Sequence, residues 1–416
     1  MGSNGPASTP APPPPSFPLD SLPDADSPLL VLTQPTHAER VATIKHTYRT
    51  WGFALAEPDY VAREVYLTTV PLARDGGITH WILTVASLPP DGRPILSSCE
   101  SLRKRAISCR RRAGSGGGDD DGPDGGKGVV DVEIEVVEGV AHGIGSVFTE
   151  PAYRGKGYAS RMMKEVGERL RAWQGQSLFS VLYSDIGKSF YARHGWPAYE
   201  SSHVSFKPAV VESAGDNERK KQVARAIGYH ELAELCAVDE KLLRADLARR
   251  CRRDSKTHVV ILPELDAMLW HLMREDYMTK SIFGKTPTVR GAVVGEPGKR
   301  VWAVWTRGYY GGLKKPEGNV LHVLRVVVED PEQPDEELVE GFRSIVQMAQ
   351  HEAAEWKTQD VQVWNPPSKL KSLVEKCGIK SEFVVREKDS IASLRWYGNE
   401  PAAEVDWVAN EKYAWC

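Results

Sequence analysis

The segment Val147-Phe148-Thr149-Glu150-Pro151-Ala152-Tyr153-Arg154-Gly155-Lys156-Gly157-Tyr158-Ala159 joins a strand-like run to a helical one. Upstream, Gly139 to Thr149 reads as a strand. Downstream, about Gly155 to Trp173 reads as a long amphipathic helix, with Met162, Val166 and Leu170 at helical spacing. Gly155 and Gly157 lack β-carbons, so a ligand can reach the backbone between them. The first-turn amides of a helix have no internal partner, and with the helix dipole they form an anion site suited to a pyrophosphate. Arg154 and Lys156 add charge at its rim. The spacing is neither GxGxxG nor GxxxxGK[ST], which argues against a dinucleotide fingerprint and a triphosphatase loop.

Proline cannot extend a ladder, so Pro151 leaves the preceding strand open at its end. An extended, amide-bearing ligand can use such freed backbone groups as a surrogate strand. Coenzyme A carries both features, a pantetheine arm and a pyrophosphate.

Working outward, residues 1 to 26 are rich in Pro, Ser and Ala and read as a disordered leader. The first domain is expected over residues 27–212. Leu29–Leu32, Trp81–Val85, Ile95 to about Arg110, Val129–Val137 and Gly139–Thr149 read as its early strands. Residues 113–128, almost wholly Gly, Asp and Pro, read as a disordered insertion. The basic cluster Arg103-Lys104-Arg105 and Arg110-Arg111-Arg112 reads as a solvated strand end partly neutralised by that acidic run. After the helix come a strand at Leu178–Tyr183, a short helix at Lys188–His194 and a strand near Val204–Phe206. Polar residues 213–221 read as a linker, and residues 222–416 as a second domain.

In that second domain helices are expected at about 230–250, 263–278 and 335–356. Strands are expected at 289–295, 300–307, 319–328 and 361–364. Strand, long helix, strand, short helix and glycine thus recur at 143–196 and 319–379, with Gly195-Trp196 and Gly378-Ile379 in matching places. The pattern suggests two related halves, of which one keeps a glycine-rich turn.

The chain has 416 residues and a net charge of −3, with both signs spread throughout, so nothing points to nucleic acid or a membrane surface as partner. No apolar run approaches the ~20 residues of a bilayer span. Six scattered cysteines without a CxxC pair suggest reduced thiols and no metal site, and with no import signal a cytoplasmic location is expected.

Arg154 to Ala159 resembles the Q/R-x-x-G-x-G/A signature of the GNAT N-acetyltransferase superfamily. The stretch Ser184-Asp185-Ile186-Gly187-Lys188-Ser189-Phe190-Tyr191-Ala192-Arg193-His194-Gly195-Trp196 resembles that superfamily's second cofactor motif. The resemblance implies an α/β (α+β) GNAT fold, a mixed twisted sheet flanked by helices, followed by a second, degenerate GNAT-like half. It implies acetyl-CoA as cosubstrate and no metal. The backbone of Val147 and Thr149 is then expected to meet the pantetheine arm, and Arg154, Gly155, Lys156, Gly157, Tyr158 and Ala159 the pyrophosphate. Tyr191 occupies the position whose hydroxyl protonates the departing thiolate. Ser184 stands where the family usually has Asn.

Ile95-Leu96-Ser97-Ser98-Cys99-Glu100-Ser101-Leu102, His142 to Phe148 and the tail segments Ser390–Gly398 and Asn410–Trp415 are similar to the fungal lysine N6-acetyltransferases, which acetylate free L-lysine in lysine degradation. A lysine ε-amine is neutral in only about one molecule in 2,500 at pH 7, a deficit of roughly 4–5 kcal/mol that a base or desolvation must cover. Gly143-Ile144-Gly145 carries no acid where many GNAT enzymes place one. The candidate bases are therefore Glu100 and His142, with Arg395 or Asn365 as candidate contacts for the acceptor. Other acceptors (a polyamine, another amino acid, a protein) and a non-catalytic acetyl-CoA-binding scaffold are the competing readings.

Overall fold

The computed structural model describes residues 17–18, 21–112, 133–209 and 223–415. The insertion expected at 113–128 and the linker at 213–221 lie outside them. In chain order the first half forms β1 (Leu30–Thr33), α1 (His37–Trp51), α2 (Glu57–Leu67), β2 (Ile78–Val85), β3 (Ser97–Arg111) and β4 (Ile134–Phe148). It continues with α3 (Tyr158–Leu170), β5 (Ser177–Ser184), α4 (Ser189–Ala192) and β6 (Ser202–Phe206). The second half forms β7 (Arg225–Ile227), α5 (Leu232–Arg253), β8 (Thr257–Ile261), α6 (Leu265–Phe283), β9 (Gly291–Val294) and β10 (Val301–Gly308). Then come β11 (Val320–Val328), α7 (Asp335–Glu355), β12 (Asp360–Trp364), α8 (Ser368–Lys376), β13 (Ser381–Val385), β14 (Ile391–Trp396) and β15 (Val405–Trp407). The fold is the expected mixed α/β architecture of twisted sheets flanked by helices.

Where two strands were expected between Val129 and Thr149, one strand, β4, runs unbroken from Ile134 to Phe148. It pairs with β3 from Arg111↔Ile134 to Ser98↔Phe148, and Gly139 lies within the ladder opposite Ala106. The glycine marks a close approach, since a β-carbon there would lie 2.9 Å from the Gln176 carbonyl oxygen.

Two sheets result, and each borrows a strand. The first has the order β1-β2-β3-β4-β5-β14, and the second β13-β6-β12-β11-β10-β9-β7. In both, a parallel pair (β4 with β5, β11 with β12) is followed by an antiparallel strand from the other half: β14 beside β5, β6 beside β12. β8 also crosses over, pairing with β3 at Ala106–Cys109. A core cluster with Phe179, Met268, Trp302, Leu394 and Tyr413 fills the junction between the halves.

The basic cluster on β3 is solvated at all its arginines, as expected, but it also reaches the second half through Lys104, Arg105, Arg110 and Arg111. Lys104 is buried and donates to the Ala414 carbonyl at 2.9 Å. Arg105 pairs with Glu264 at 2.7 Å, Arg110 with Glu135 and Glu400, and Arg111 donates to the Cys251 carbonyl at 3.2 Å. Cys109 and Cys251 are paired as a disulfide between β3 and α5, which corrects the expectation of reduced thiols throughout. Cys99, Cys236 and Cys377 are free and buried. The leader also ends earlier than residue 26, because Leu22 and Ala25 pack against the core beside α3. No helix among the described residues is long and apolar enough to cross a membrane.

Arg325 on β11 binds Asp239 of α5 through Nε and Nη2, both at 2.8 Å, and also pairs with Glu411 of the C-terminal segment. All three are buried. Removing one member strands the others' charges, a loss of about 3–5 kcal/mol. Arg325→Ala is therefore expected to lower the urea midpoint by that free energy; a shift under ~1 kcal/mol contradicts the joint's role.

Candidate functional site

β4 and β5 part company after Ile144↔Leu182, while β4 stays paired to β3 as far as Phe148. Gly145 to Phe148 thus have no partner on the β5 side. The strand then gives way to a one-turn 3-10 helix at Pro151–Tyr153. Gly155 and Gly157 both adopt left-handed backbone, at φ +78° and +85°. The first bond of α3 runs from Arg161 N–H to the Gly157 carbonyl at 3.0 Å, and no side chain caps the helix. The amides from Gly155 to Ala159 are left without a partner among the described residues. An unfilled backbone edge leading to a row of free amides suits an extended chain that ends in an anion.

The other residues of the turn are disposed unevenly. Arg154 donates through Nε to the Thr149 carbonyl at 3.0 Å and stacks on Phe148, with its guanidinium carbon 5.7 Å from the ring centre. Lys156 is exposed. Tyr158 is buried and donates its hydroxyl to the Pro23 carbonyl at 2.8 Å. Arg161 donates to the Ala25 carbonyl at 3.0 Å, so residues 22–27 strap the start of α3. A β-carbon on Gly157 would lie 3.0 Å from that of Ala25. Val147 is partly buried and the Thr149 hydroxyl lies 2.9 Å from that of Ser97. The Ser184 hydroxyl is engaged locally, donating to the Gly187 carbonyl at 2.6 Å and accepting from Ile186 N–H at 3.2 Å. It braces the turn before α4 where an Asn would reach outward.

Glu100 stands across from Gly145, just after an irregularity in the β3–β4 ladder. It lines a small, partly open cavity of about 40 Å³ with Tyr60, Glu64, His80, Ser146 and Trp270. Ser146, itself at φ +51°, donates its hydroxyl to Glu100 Oε1 at 2.9 Å. Burial, with a contribution from the nearby Glu64 charge, pushes the Glu100 carboxyl up to about 7. His80 Nδ1 lies 3.7 Å from Glu100 Oε2, but burial holds this imidazole down at about 4, so it is neutral at pH 7 and the contact is no ion pair.

Tyr191 is buried in the same apolar cluster as Cys99, Ile144 and Leu182. Its hydroxyl has no hydrogen bond among the described residues. Burial first, then the neighbouring Cys99 and Asp185, keeps that hydroxyl protonated well beyond neutral pH. The Cys99 thiol is likewise held protonated by burial. Cys99 links the two groups: it lines the cavity with Glu100 and packs in the apolar cluster that holds Tyr191.

His142 is placed elsewhere. It is fully buried opposite Arg103 and Ser180, its Nδ1 is 3.1 Å from Ser177 Oγ, and it does not line the cavity. Burial holds it neutral at about 4. Arg395 stacks on Trp196 and Tyr397 and donates to the His194 carbonyl at 3.2 Å, while Asn365 ties Ser202 N–H to the Asn410 carbonyl. Both are engaged in packing the halves together.

Sequence reasoning missed His80, Tyr60, Glu64, Arg63 and Arg274. His80 pairs with Glu100 across β2–β3, so a register count was the available signal for it. Arg63 pairs with Glu64 and reaches Met278 Sδ at 3.2 Å. Arg274, one turn after the cavity-lining Trp270, has no hydrogen-bond or ion-pair partner among the described residues. Burial first, then Arg63, lowers its pKa, opposed by Tyr310, Glu64 and Tyr60. No metal-ligand cluster of three or more His, Cys, Asp or Glu occurs among the described residues.

Residues 203–416, just over half of the chain, match the family described as LYC1 GNAT-like C-terminal domain. The chain belongs to this LYC1 GNAT-like family. Residues 119–197, which contain the glycine turn and Tyr191, match the acetyltransferase (GNAT) domain. The chain is therefore a GNAT-superfamily acetyltransferase, a class that takes its acetyl group from acetyl-CoA. An uncharacterized protein of Saccharomyces cerevisiae, YGR111W, is 22% identical over 362 residues, covering 82% of each chain. A lysine acetyltransferase of Yarrowia lipolytica is 23% identical over 319 residues, covering 67% of this chain and 72% of that one. Similar solved structures include a GCN5-related N-acetyltransferase from Kribbella flavida (16% identity, TM-score 0.47, 88% of this chain and 71% of that one). Another is the N-myristoyltransferase of Saccharomyces cerevisiae (7% identity, TM-score 0.49, 90% and 82%).

The Glu100 environment predicts its own titration. In carboxyl-labelled protein, the resonance absent from a Glu100→Gln variant is expected to titrate near pH 7. A midpoint near 4.5 contradicts the buried setting.

Proposed function

We propose that this protein acetylates the N6-amine of free L-lysine, by direct attack of the amine on the acetyl-CoA thioester. The observation that carries the reading is Glu100: a largely buried carboxyl, pushed up to about 7, at a cavity lined also by Cys99, which packs in the apolar cluster of Tyr191, and by Ser146, in the stretch of β4 that β5 leaves unpaired. A base with pKa near the working pH combines a populated carboxylate with useful proton affinity.

Bound acetyl-CoA supplies the acyl carbon. On this reading the backbone of Val147 and the N–H of Thr149 hold the pantetheine arm, the Thr149 carbonyl being engaged by Arg154, and the amides of Gly155 to Ala159 hold the pyrophosphate. Glu100 accepts the proton that the acceptor ammonium must lose before its nitrogen can bond to the carbonyl carbon. As the carbon–sulfur bond breaks, the Tyr191 hydroxyl donates its proton to the departing sulfur and the nitrogen loses its second proton to restore the phenol; Glu100 then releases the first proton to solvent.

The relative named a lysine acetyltransferase supports lysine as acceptor. So does charge. Arg63 and Arg274 lie beside the cavity residues Tyr60 and Glu64, as the mutual influence of these groups shows. Arg63 is paired with Glu64, so the Arg274 guanidinium, unpaired among the described residues, is the charge that opposes a polyamine and favours an acceptor that also carries a carboxylate.

A thiol-release assay across L-lysine, other amino acids, spermidine and a peptide amine tests the acceptor. L-lysine is expected to give the highest kcat/KM; turnover with spermidine but none with lysine rejects it. Glu100→Gln is expected to lower kcat about 10²–10³-fold, within the range for a lost general base. It should also remove the extra fall in log kcat/KM that wild type shows below pH ~7, where Glu100 becomes protonated. Tyr191→Phe should lower kcat with acetyl-CoA binding retained. Unchanged kcat in both variants contradicts the assignment.

A further inference from the structure

Beyond the acetyl-transfer gap, the second half carries a separate cavity of about 500 Å³ that opens to solvent. Its walls come from the exchanged strand β6 (His203), β11 (His322), β12 (Trp364) and the loop after β13 (Arg386), with Tyr310 at one side. Arg386 is 9% exposed, and its Nη1 donates to the Ser202 carbonyl at 2.7 Å. Its Nε and Nη2 are buried without any partner. The guanidinium is stacked flat on Trp364, 4.0 Å from the ring centre. His203 and His322, 9% and 5% exposed, each leave a buried Nδ1 without a partner.

A buried guanidinium with three of its five N–H donors unfilled is costly, and cations buried in proteins are normally paired. The acids at the rim do not pair with it: Glu387 is turned to Lys188 at 2.6 Å, and Asp389 is exposed. Lys412, also at the cavity, has its Nζ 4.1 Å from the Trp364 ring centre and 3.9 Å from that of Trp415. The two free donor nitrogens of Arg386 matter most. Nε and Nη2 form one edge of the guanidinium, the fork that takes both oxygens of a carboxylate in parallel hydrogen bonds. Both imidazoles are kept neutral, His203 by burial and then Arg386, His322 by burial and then Lys412. They offer hydrogen bonds without added charge, which matches a singly charged group better than a phosphate. Trp364, Val320 and Val384 supply apolar wall for the rest of the ligand.

We infer that this cavity is a carboxylate-binding site, in which the Nε/Nη2 edge of Arg386 grips both oxygens, His203 and His322 flank them, and the apolar wall takes an aliphatic body. The cavity adjoins the transfer gap. Its Arg386–Ser390 loop is bonded to the turn before α4 through Gly187 N–H to the Lys388 carbonyl at 3.0 Å and Ser390 N–H to Asp185 at 2.9 Å. The carboxylate can therefore belong to the acceptor amino acid or to a separate small acid. The inference rests on the cavity and not on the acceptor's identity.

Calorimetric titration with hexanoate, a monocarboxylate on an aliphatic chain, tests it on the full-length protein. Wild type is expected to bind hexanoate, and Arg386→Gln to bind it on the order of ten-fold more weakly, as for a lost hydrogen bond to a charged group. His322→Phe, which keeps the ring's bulk and leaves Arg386 in place, should weaken it less. No binding to wild type at millimolar hexanoate, or equal binding to all three proteins, overturns the inference, and the wild-type result stands even if Arg386→Gln fails to fold. Kinetics separate the two sources. If the acceptor's carboxylate is the occupant, hexanoate competes with L-lysine, and Arg386→Gln raises KM for L-lysine while leaving KM for cadaverine, the same diamine chain without a carboxylate, unchanged. If a separate acid is the occupant, hexanoate binds without competing and both KM values are unchanged. Should lysine prove no substrate, the function proposed above fails while the titration still reads the cavity.

Discussion

The gap between β4 and β5 is the constraint on which the functional architecture turns. Two parallel strands that share a ladder up to Ile144↔Leu182 would ordinarily continue it. Here each is held by its other neighbour instead. β4 stays bonded to β3 as far as Phe148, and β5 is bonded along Phe179–Ser184 to β14, which arrives from the far end of the chain. Neither can move to close the gap without breaking a ladder. The backbone groups between Gly145 and Phe148 are therefore kept open by the pairing on the outer edges, and Ser146 stays bonded to Glu100 across the β3–β4 ladder.

The second half thus supports the gap, although the glycine turn, Glu100 and Tyr191 all lie in the first. β14 secures β5, and β6 is surrendered in exchange to sit between β13 and β12. The ion network at Arg325, Asp239 and Glu411 and the Lys104 bond to Ala414 lock the C-terminal segment against both sheets. Cations recur where the halves meet. Arg63 and Arg274 stand near the Glu100 cavity and Arg386 in the second one, the last two without a carboxylate bonded to them among the described residues.

Much of this was legible in the sequence. The paired glycines and the apolar spacing of Met162, Val166 and Leu170 place α3 and its free amides, since both features are local. The repeated order of strand, long helix, strand and short helix was visible for the same reason. The exchange of β6 and β14 was not. Ser202–Phe206 is buried at all five residues, so its pattern shows no face and names no partner. The choice between Glu100 and His142 was open because it depends on tertiary burial. His142 turns out to be enclosed near Ser177, and Glu100 lines the cavity. Cys109 and Cys251, 142 residues apart, meet only through the crossing of α5 and β8 onto β3. Arg63, Arg274 and Arg386 carry no local signature, since a buried cation is recognised only by what surrounds it.

Hydrogen–deuterium exchange with and without coenzyme A tests the central claim most directly. Binding in the gap is expected to slow exchange at the amides of residues 145–149 and 155–160, and at the turn before Tyr191, with little change along β11 and α7. Protection confined to the corresponding β11–α7 turn of the second half, or no protection at residues 155–160, contradicts the account.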